Sequence, residues 1–292
     1  MCGIVGVWMP GDQNANGAVA SMVRQLEHRG PDDQGLETIQ TSAGSLTLGF
    51  RRLSIIDLSP AGHQPMYDPV TGNWIVFNGE IYNFRELRAE LQALGESDWR
   101  STSDTEVILK AYRRFGERCL DRLHGMFALA IWDARRERLL LARDRLGIKP
   151  LYYHYGAGRL IFASELRAIL AGGLVAATPC LEAVDSYLEL GAVQEPLTMI
   201  EGVRSLGAGS FAIVTANGFQ EQSYWDLSAF ARQAQQLDEA AAIARVRTLL
   251  EQAVARHLVA DVPVGVFLSG GLDSTSLVAL SRIATNEPVR TL

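Results

Sequence analysis

The chain carries a thiol directly behind its first residue, in the opening stretch MCGIVGVW. If Met1 is removed, the α-amine of Cys2 becomes free. With a reference pKa of about 7.7–8, that amine can accept the proton of a thiol whose own pKa is about 8.5. Nucleophile and general base then belong to one residue, and no separate histidine is needed. A chance cysteine at a processed end is the alternative that this stretch leaves open.

A second stretch, NGEIYN at 78–83, offers hydrogen-bond donors. The side-chain amide of Asn78 and the backbone N–H of Gly79 can stabilise the oxyanion that forms when a thiolate attacks a carboxamide. Asn-Gly is also the commonest signal of a hairpin turn. The two residues alone therefore indicate either an oxyanion hole or a turn.

Two charged side chains are candidates for holding the ends of a small polar substrate. Arg52, in FRRLSIID, can grip a carboxylate through two parallel hydrogen bonds, whereas its neighbour Arg51 can equally be a solvated surface charge. Asp104, in STSDTE, can accept a substrate ammonium group. An acid at the start of a helix also stabilises the helix by itself, so Asp104 has a structural interpretation too.

A third stretch, FLSGGLDSTS, places an apolar strand, a glycine loop with hydroxyls and the start of a helix in that order. Backbone N–H groups in such a loop form a nest for phosphate or pyrophosphate at the positive end of the helix. The loop lacks the Gly-Lys-Ser/Thr ending of a Walker A motif, which argues against an ordinary kinase or GTPase. A purely structural strand-to-helix turn is the alternative.

The remaining candidates for chemistry are weaker. The five histidines show no metal-ligand spacing, and we expect structural or surface roles for them. Cys119 and Cys180 lie in apolar, helix-like surroundings, so we expect buried thiols. An odd number of cysteines without metal-type spacing fits a reducing compartment.

Composition bounds the class of protein. The chain has 292 residues, of which 48% are apolar and 21% charged, as in a globular protein. A net charge of −6 gives no electrostatic reason to expect nucleic acid or an anionic membrane as partner. No apolar run approaches the ~18 residues of a membrane span, and no signal peptide is visible. These features predict a cytoplasmic protein.

The elements that must position these residues follow from apolar spacing. CGIVGVW is typical of a buried strand, and a loop is expected at 28–35 before strands at 45–50 and 74–84. Helices are predicted at 17–28, around 87–94 and at 107–115, the last opened by Ser103 and Glu106 in capping-box positions.

From Met126 onward the chain is rich in short strands. MFALAIW, RLLLARD, LYYHY and RLIFAS are separated by DARRE, RLGIKP and GAG, which predicts an antiparallel meander. A last hairpin is expected at 211–225. The first ~225 residues therefore predict one α+β domain, a size that suits a single compact unit.

A second domain of α/β type begins after a polar, alanine-rich segment at 228–240. A helix is predicted at about 240–258, with Ile243, Val246, Leu250, Val254 and His257 on one face. Only residues 275–292 follow SGGLDS, whereas a compact domain usually has ~100–150 residues. We therefore expect the second domain to be incomplete in this chain.

Taken in order, ten stretches closely resemble those of glutamine-hydrolysing asparagine synthetases. They are MCGIVG, HRGPDDQG, RRLSIIDLS, HQPM, NGEIYN, SDTE, HGMFALAIWD, RDRLGIKPLYY, FASELRAI and FLSGGLDS. The resemblance implies an N-terminal-nucleophile hydrolase αββα sandwich followed by the beginning of an α/β ATP-pyrophosphatase domain. In these terms residues 2–226 form a class II glutamine amidotransferase domain, 227–240 a linker and 241–292 the N-terminal part of a synthetase domain.

The resemblance also assigns roles to residues. It implies Cys2 as nucleophile, Asn78 and Gly79 as oxyanion hole, Arg52 as ligand of the glutamine α-carboxylate, and Glu80 and Asp104 as ligands of its amino end. The implied pyrophosphate loop consists of Leu268, Ser269, Gly270, Gly271, Asp273 and Ser274. Asp273 is its implied Mg²⁺ contact.

The activity implied by this resemblance is hydrolysis of glutamine to glutamate and ammonia, without a cofactor, followed by amidation of aspartate with ATP and Mg²⁺. With an incomplete second domain, only the glutaminase half is expected to operate. One alternative is an amidotransferase with a phosphosugar or phosphoribosyl acceptor, which SGGLDS disfavours. Another is a carboxylate acceptor on a sugar or peptide. A third is a non-enzymatic module that associates with a complete synthetase. The oligomeric state, a homodimer included, stays open.

Overall fold

The computed structural model describes residues 1–11, 14–231, 237–285 and 287–292. They form two compact units, one of Met1–Ser54 with Ser59–Asp226 and one of Ile55–Leu58 with Leu227–Leu292. Part of the segment that the sequence suggests as a linker, 232–236, lies outside the described residues.

The first unit is built on twelve strands. In chain order these are β1 (Gly3–Pro10), β2 (Asp33–Thr41), β3 (Gly44–Arg52), β4 (Met66–Tyr67), β5 (Trp74–Ile81), β6 (Gly125–Asp133), β7 (Arg138–Arg143), β8 (Tyr152–Gly156), β9 (Arg159–Ala163), β10 (Val203–Ser205), β11 (Ser210–Thr215) and β12 (Gly218–Ser223). They form two six-stranded sheets, in the orders β10-β8-β9-β1-β3-β2 and β12-β11-β7-β6-β5-β4. Neighbouring strands run antiparallel.

Five helices of the first unit accompany the sheets. They are α1 (Asn16–Gln25), α2 (Phe84–Ala93), α3 (Asp104–Phe115), α4 (Leu166–Ala171) and α5 (Leu181–Leu190). Helices α1 and α4 cover the first sheet, while α3 packs against β5 of the second sheet with α2 beside it. The expected αββα sandwich is confirmed.

Strand β1 shows how one apolar run serves two cores. Ile4 and Trp8 belong to the cluster between the two sheets, whereas Val5 and Val7 belong to the cluster under α1 and α4. Successive side chains of a strand point to opposite faces, so a strand covered on both faces must be apolar throughout. This explains the continuous apolar sequence, and each large side chain fully buried there contributes roughly 1.5–3 kcal/mol.

The predicted capping box at the start of α3 is half formed. The Ser103 hydroxyl accepts a hydrogen bond from the Glu106 N–H at 3.3 Å. The Glu106 carboxylate does not reach back to Ser103 but accepts the N–H groups of Arg100 and Ser101, at 3.0 and 2.7 Å. Helix α3 begins where the sequence indicates. The Glu106 carboxylate holds the loop before the helix through Arg100 and Ser101.

The predicted meander from Met126 onward is wrong. Strands β6 and β7 pair in the second sheet, whereas β8 and β9 pair in the first. The RLGIKP segment carries the chain from one sheet to the other. Asp144, only 1% exposed, fastens this crossover because its carboxylate accepts backbone N–H groups from Phe127, Leu146, Ile148 and Lys149.

The second unit contains α6 (Leu227–Ala231), α7 (Glu239–His257), β13 (Gly265–Val266), α8 (Leu272–Ala284) and β14 (Arg290–Thr291). The predicted helix at about 240–258 is confirmed as α7, which the Asp238 side chain caps through the N–H of Ala241. Only Val254 of its predicted apolar face is buried in the chain as described. The strand predicted before SGGLDS is reduced to β13, which pairs in parallel with β14.

The segment Ile55–Leu58 belongs to this second unit although it follows β3 in the chain. The Asp57 N–H donates to the Asp261 carboxylate at 2.8 Å, and the Asp261 N–H donates to the Ile55 carbonyl at 2.9 Å. Among the described residues, no helix is long and apolar enough to cross a membrane.

Candidate active site

Cys2 and Arg52 lie at one end of the sandwich and face the space between the sheets. Gly3 of β1 pairs with Arg51 of β3, so the residues just beyond this pair are neighbours. Ile4 and Phe50 belong to the core between the sheets. Because strand side chains alternate, Cys2 and Arg52, each two positions away from one of them, face the same space.

Asn78 and Glu80 reach this space from the second sheet. Val76 of β5 belongs to the core between the sheets, and Asn78 and Glu80 follow it at intervals of two. The intervening Gly79 faces away, towards the helices. Residues assigned to glutamine binding thus come together from both sheets.

The Cys2 thiol is held against the backbone beyond β3. Its Sγ lies 3.4 Å from the Leu53 nitrogen and 3.5 Å from the Leu53 oxygen. Burial raises the pKa of the Cys2 thiol, while the terminal ammonium and Arg52 oppose this rise. With Met1 in place, the nitrogen of Cys2 is an amide and cannot act as a base.

A second anchor holds Cys2 from outside the sheet. The Arg29 side chain donates to the Cys2 carbonyl at 2.9 Å and to Glu165 at 3.0 Å. Glu165 also lies 2.8 Å from His28. Sequence reasoning did not single out these three residues, although HRGPDDQG contains His28 and Arg29 and FASELRAI contains Glu165.

Asn78 is buried, 1% exposed, and its Nδ2 has no hydrogen-bond partner among the described residues. It lies within β5, which excludes the hairpin-turn interpretation of Asn-Gly. A buried donor left unpaired costs about 1–3 kcal/mol, so the fold keeps this one at a loss of stability. An unused amide N–H beside a nucleophile is what an oxyanion hole requires.

Gly79 must be a glycine for reasons of space. It lies opposite Phe127 of β6, and an added Cβ would be 2.2 Å from the Met126 carbonyl oxygen. Any side chain would displace β5 from β6 at the point where Asn78 is presented. The close packing of β5 against β6 therefore requires a glycine directly after Asn78.

Strand alternation separates Arg52 from Arg51. Arg52 is buried and donates to the Ser59 carbonyl at 3.0 Å. Arg51 turns to the other face, donates to the Val23 carbonyl at 3.3 Å and pairs with Glu27 at 3.6 Å. The interpretation of Arg51 as a solvated surface charge is wrong, because its strand position places it under α1.

Asp104 and Glu80 form the acidic side of the site. The buried Asp104 carboxylate accepts the Ile81 N–H at 3.0 Å, and Ser103, not Asp104, caps α3. Burial and the negative charge of Glu80 raise the pKa of Asp104 to about 7, although the Ile81 hydrogen bond opposes this. Two carboxyl groups in one recess are suited to hold a cation.

Lys149 is a further charged residue of this region that sequence reasoning missed. It lies on the crossover between the sheets and is 6% exposed. Burial lowers the pKa of its ammonium, whereas Glu80 and Cys2 oppose this effect. Its position follows from the crossover, which the predicted meander concealed.

The second unit gathers the residues predicted for a pyrophosphate loop. Ser269 and Ser274 hydroxyls lie 3.1 Å apart, and Ser274 donates to the Gly271 carbonyl at 3.2 Å. Gly270 has φ +79°, which a residue with a side chain rarely adopts. Leu268 precedes this turn.

Helix α8 begins at this loop without a side-chain cap. Gly271 is its N-cap residue, and Asp273 lies in its first turn. Uncapped N–H groups next to two hydroxyls fit an anion such as a polyphosphate.

The histidines were predicted to have structural or surface roles, and the two remaining cysteines were predicted to be buried. Within 1–11, 14–231, 237–285 and 287–292, no group of three or more His, Cys, Asp or Glu side chains could hold a metal ion. His63 bonds to Asp33 at 2.7 Å, on the surface. Cys119 is buried as predicted, but Cys180 is half-buried because it precedes α5.

Two sheets between helix layers, with Cys2 entering the space between them, define the fold class of N-terminal-nucleophile hydrolases. The structure of a glutamine phosphoribosylpyrophosphate amidotransferase from Bacillus subtilis has this fold, with a TM-score of 0.58 and 18% identity. That similarity covers 100% of this chain and 65% of the other. The chain belongs to the glutamine amidotransferase domain family, whose model matches residues 1–225. A second family model, asparagine synthase, matches residues 245–292.

Relatives of known name resemble the chain over most of its length. Glutamine-hydrolysing asparagine synthetase 3 of Bacillus subtilis is 36% identical over 96% of this chain and 45% of its own. A putative asparagine synthetase of Methanocaldococcus jannaschii is 35% identical over 98% of this chain and 58% of its own. The amidase chry2 of Gibberella zeae is 37% identical over 96% of this chain and 42% of its own. The chain thus spans about half the length of these relatives.

Proposed function

We propose that this chain hydrolyses glutamine through Cys2 and supplies the ammonia for an ATP-dependent amidation of aspartate. The observation that carries the glutamine hydrolysis is the buried Nδ2 of Asn78, which has no hydrogen-bond partner in the described part of the chain and faces the same space as Cys2. The family to which the chain belongs and its named relatives support the same conclusion.

The reaction begins after removal of Met1. The proton of the Cys2 thiol passes to the freed α-amine, and the thiolate attacks the carboxamide carbon of glutamine. Asn78 Nδ2 and the backbone N–H of Gly79 donate to the oxyanion. The protonated amine then donates its proton to the amide nitrogen of glutamine, the C–N bond breaks, and ammonia leaves. Water hydrolyses the resulting thioester, which releases glutamate and regenerates the thiol.

Charged residues orient glutamine for this attack. Arg52 binds the α-carboxylate through its guanidinium. Glu80 and Asp104 bind the α-ammonium, and this added positive charge favours the ionised form of Asp104. The pocket therefore selects an α-amino acid whose side chain ends in an amide.

The proposed ATP-dependent amidation is based on the loop at the start of α8. Ser269, Gly270, Gly271 and Ser274 would hold the pyrophosphate portion of ATP, with Asp273 as the carboxylate nearest to Mg²⁺. ATP supplies the energy to activate the acceptor carboxylate. The match of residues 245–292 to the asparagine synthase family supports this assignment.

Because the cysteines are free, we place the activity in the cytoplasm.

A different acceptor is the second candidate. The amidase from Gibberella zeae is about as similar to this chain as the asparagine synthetases are. Its name does not include aspartate, so we keep a carboxylate other than aspartate as the second candidate acceptor. Product analysis with a panel of amino-acid and peptide carboxylates, together with glutamine, ATP and Mg²⁺, decides between the acceptors.

The glutaminase is tested by measuring glutamate release and the intact mass of the purified chain. We expect loss of Met1 and glutamate release that disappears in Cys2→Ala. The matched control is Cys180→Ala, which removes a half-buried thiol outside the site and should retain full activity. Full activity in a chain that keeps Met1 would falsify the mechanism.

The oligomeric state is tested separately. Gel filtration of the same preparation distinguishes a monomer from a homodimer.

A further inference from the structure

Among the described residues, one edge of β5 has no partner strand over most of its length. Strand β4 pairs only with the first two residues of β5, whereas β6 pairs with the other edge along all of β5. Alternate residues of an antiparallel strand turn their N–H groups to the same edge. Phe77, Gly79 and Ile81 alternate in this way. Their common edge is the open one, because side chains from outside the sheet accept the N–H groups of Phe77 and Ile81.

Two buried side chains occupy this open edge on either side of Gly79. The Gln64 carboxamide oxygen accepts the Phe77 N–H at 2.6 Å, and the Asp104 carboxylate accepts the Ile81 N–H at 3.0 Å. Both side chains thus do what a partner strand would do for these two N–H groups. The N–H of Gly79, which the proposed function assigns to the oxyanion, lies between two neighbours that are held in place.

The other end of the Gln64 carboxamide holds helix α3. Its Nε2 donates to the Thr105 hydroxyl at 3.2 Å, and Thr105 directly follows Asp104 in the first turn of α3. Gln64 and Thr105 are both buried. Because an amide has an acceptor at one end and donors at the other, a single side chain joins β5 to α3.

The backbone of Gln64 is fixed against the first sheet. An added Cβ at Gly35 of β2 would be 1.9 Å from the Gln64 carbonyl oxygen, so the two backbones are in close contact. The neighbouring His63 lies 2.7 Å from Asp33, and Asp33 pairs with Arg52 across β2 and β3. The backbone from which the Gln64 side chain extends is therefore anchored at the same end of the sandwich as Arg52.

We propose that Gln64 is a positioning residue, which holds the oxyanion donors of β5 and the Asp104 carboxylate of α3 at a constant separation. This inference rests on the proposed glutaminase function. Gln64 acts through its neighbours, since Phe77 directly precedes Asn78 and Thr105 directly follows Asp104. Glutamine would extend from one of these places to the other, and a displacement of about 1 Å in such a site can slow a reaction roughly a hundredfold.

Two substitutions separate the two ends of the carboxamide. Thr105→Val keeps the shape of the side chain and removes only the acceptor on α3. Gln64→Met keeps the length of the side chain and removes both hydrogen bonds. We expect Thr105→Val to raise the KM for glutamine roughly threefold to tenfold with kcat near that of the parent. Gln64→Met should also lower kcat roughly tenfold, less than the roughly 10²–10³ expected when an oxyanion donor is removed.

Thr198→Val is the matched control for the loss of a buried hydroxyl. Thr198 is buried outside the site, and its hydroxyl donates to the Val203 carbonyl at 2.9 Å. This variant should lose stability while kcat and KM stay close to those of the parent. If Gln64→Met and Thr105→Val keep both constants as well, the proposal is overturned. It is also overturned if Thr198→Val loses as much kcat as Gln64→Met, because loss of stability alone would then account for the effect.

Hydrogen exchange tests the same separation without turnover. The Ile81 N–H bonds to Asp104 of α3 and not to Gln64. Its exchange therefore reports whether α3 stays in place against β5. In folded Gln64→Met we expect Ile81 to exchange roughly tenfold faster than in the parent, whereas exchange as in the parent refutes the proposal. A parent chain that releases no glutamate but shows this faster exchange in Gln64→Met contradicts only the glutaminase function.

Discussion

Among the buried amides of the part of the chain that the structure describes, Asn78 is distinguished by a donor without a partner. We predict that Asn78→Ala lowers the kcat for glutamine hydrolysis by roughly 10²–10³, the usual effect of removing one oxyanion donor. Stability should stay the same or rise, because the substitution removes a buried donor that has no hydrogen-bond partner among the described residues. The measurements are steady-state glutamate release and thermal unfolding.

Asn73 provides the matched control for this change. It is also buried, but its side-chain oxygen accepts the Ala134 N–H at 3.0 Å. Asn73→Ala leaves that donor unpaired and should cost about 1–3 kcal/mol of stability while kcat stays close to that of the parent. If the two variants lose activity equally, the assignment of Asn78 to the oxyanion hole is wrong.

The titration of Asp104 gives a second prediction at this scale. Its pKa is raised to about 7, chiefly by burial, and in the proposed function the ionised form of Asp104 binds the glutamine ammonium. Glutamine affinity should therefore weaken about tenfold for each pH unit below this value and level off above it. Calorimetric titration of glutamine into Cys2→Ala at a series of pH values measures this without turnover.

Asp104→Asn is the control, and its affinity for glutamine should be weak and independent of pH.

The raised pKa of Asp104 also makes the stability of the fold depend on pH. Because the folded chain keeps the Asp104 proton to higher pH than the unfolded chain, this group makes stability fall as pH rises from about 4 to about 7. Asp104→Asn should remove that contribution, so its melting temperature should decrease less than the parent's across this range.

For single residues, residue type alone left alternatives open, since the terminal thiol could be a chance cysteine and the Asn-Gly pair a turn. Their roles came from the resemblance, and the structure places Cys2 and Asn78 on the same inner space. Arg51 and Arg52 could not be told apart, because their difference depends on which face of β3 is covered. Lys149 could not be found at all, since its relation to Cys2 depends on a long-range crossover.

At the scale of elements, local patterns predicted what local forces determine. The leucine spacing of α2 and the cap of α3 depend on neighbours within a few residues, and both helices begin near the expected positions. The pairing of β7 with β8 was predicted wrongly, because choosing a sheet depends on contacts far away in the chain. The deciding contact is the Asp144 carboxylate, whose four backbone partners keep RLGIKP from forming a hairpin.

This crossover gives the prediction at the element scale. Asp144→Ala removes the acceptor of several buried N–H groups, each of which costs about 1–3 kcal/mol when left unpaired. We expect a large loss of stability and a loosening of the crossover. Urea unfolding measures the first, and hydrogen exchange at Phe127 and Lys149 measures the second.

Asp121→Ala is the control for charge and side-chain loss. Asp121 is exposed, and its substitution should change the free energy of unfolding by less than about 0.5 kcal/mol. Equal stability of the two variants would mean that the crossover does not depend on Asp144.

At the scale of the whole molecule, the chain order of the motifs predicted two units with separate chemistry. All residues assigned to glutamine cleavage lie in the unit of Met1–Ser54 with Ser59–Asp226. The predicted pyrophosphate loop lies in the other unit. The sequence did not indicate that Ile55–Leu58 joins the second unit, because its bonds to Asp261 link residues about 200 positions apart.

This separation leads to the last prediction. Asp273→Asn and Ser269→Ala should leave glutamate release by the chain unchanged, because the site of Cys2 draws its charges and donors from its own unit. The same variants should bind Mg²⁺-pyrophosphate more weakly in calorimetric titrations, since one loses the proposed Mg²⁺ ligand and the other a hydroxyl of the loop. Conversely, Asn78→Ala should bind Mg²⁺-pyrophosphate like the parent. If loop variants slowed glutamine hydrolysis while the chain remained folded, the glutaminase would depend on the nucleotide loop and the two activities could not be assigned to separate units.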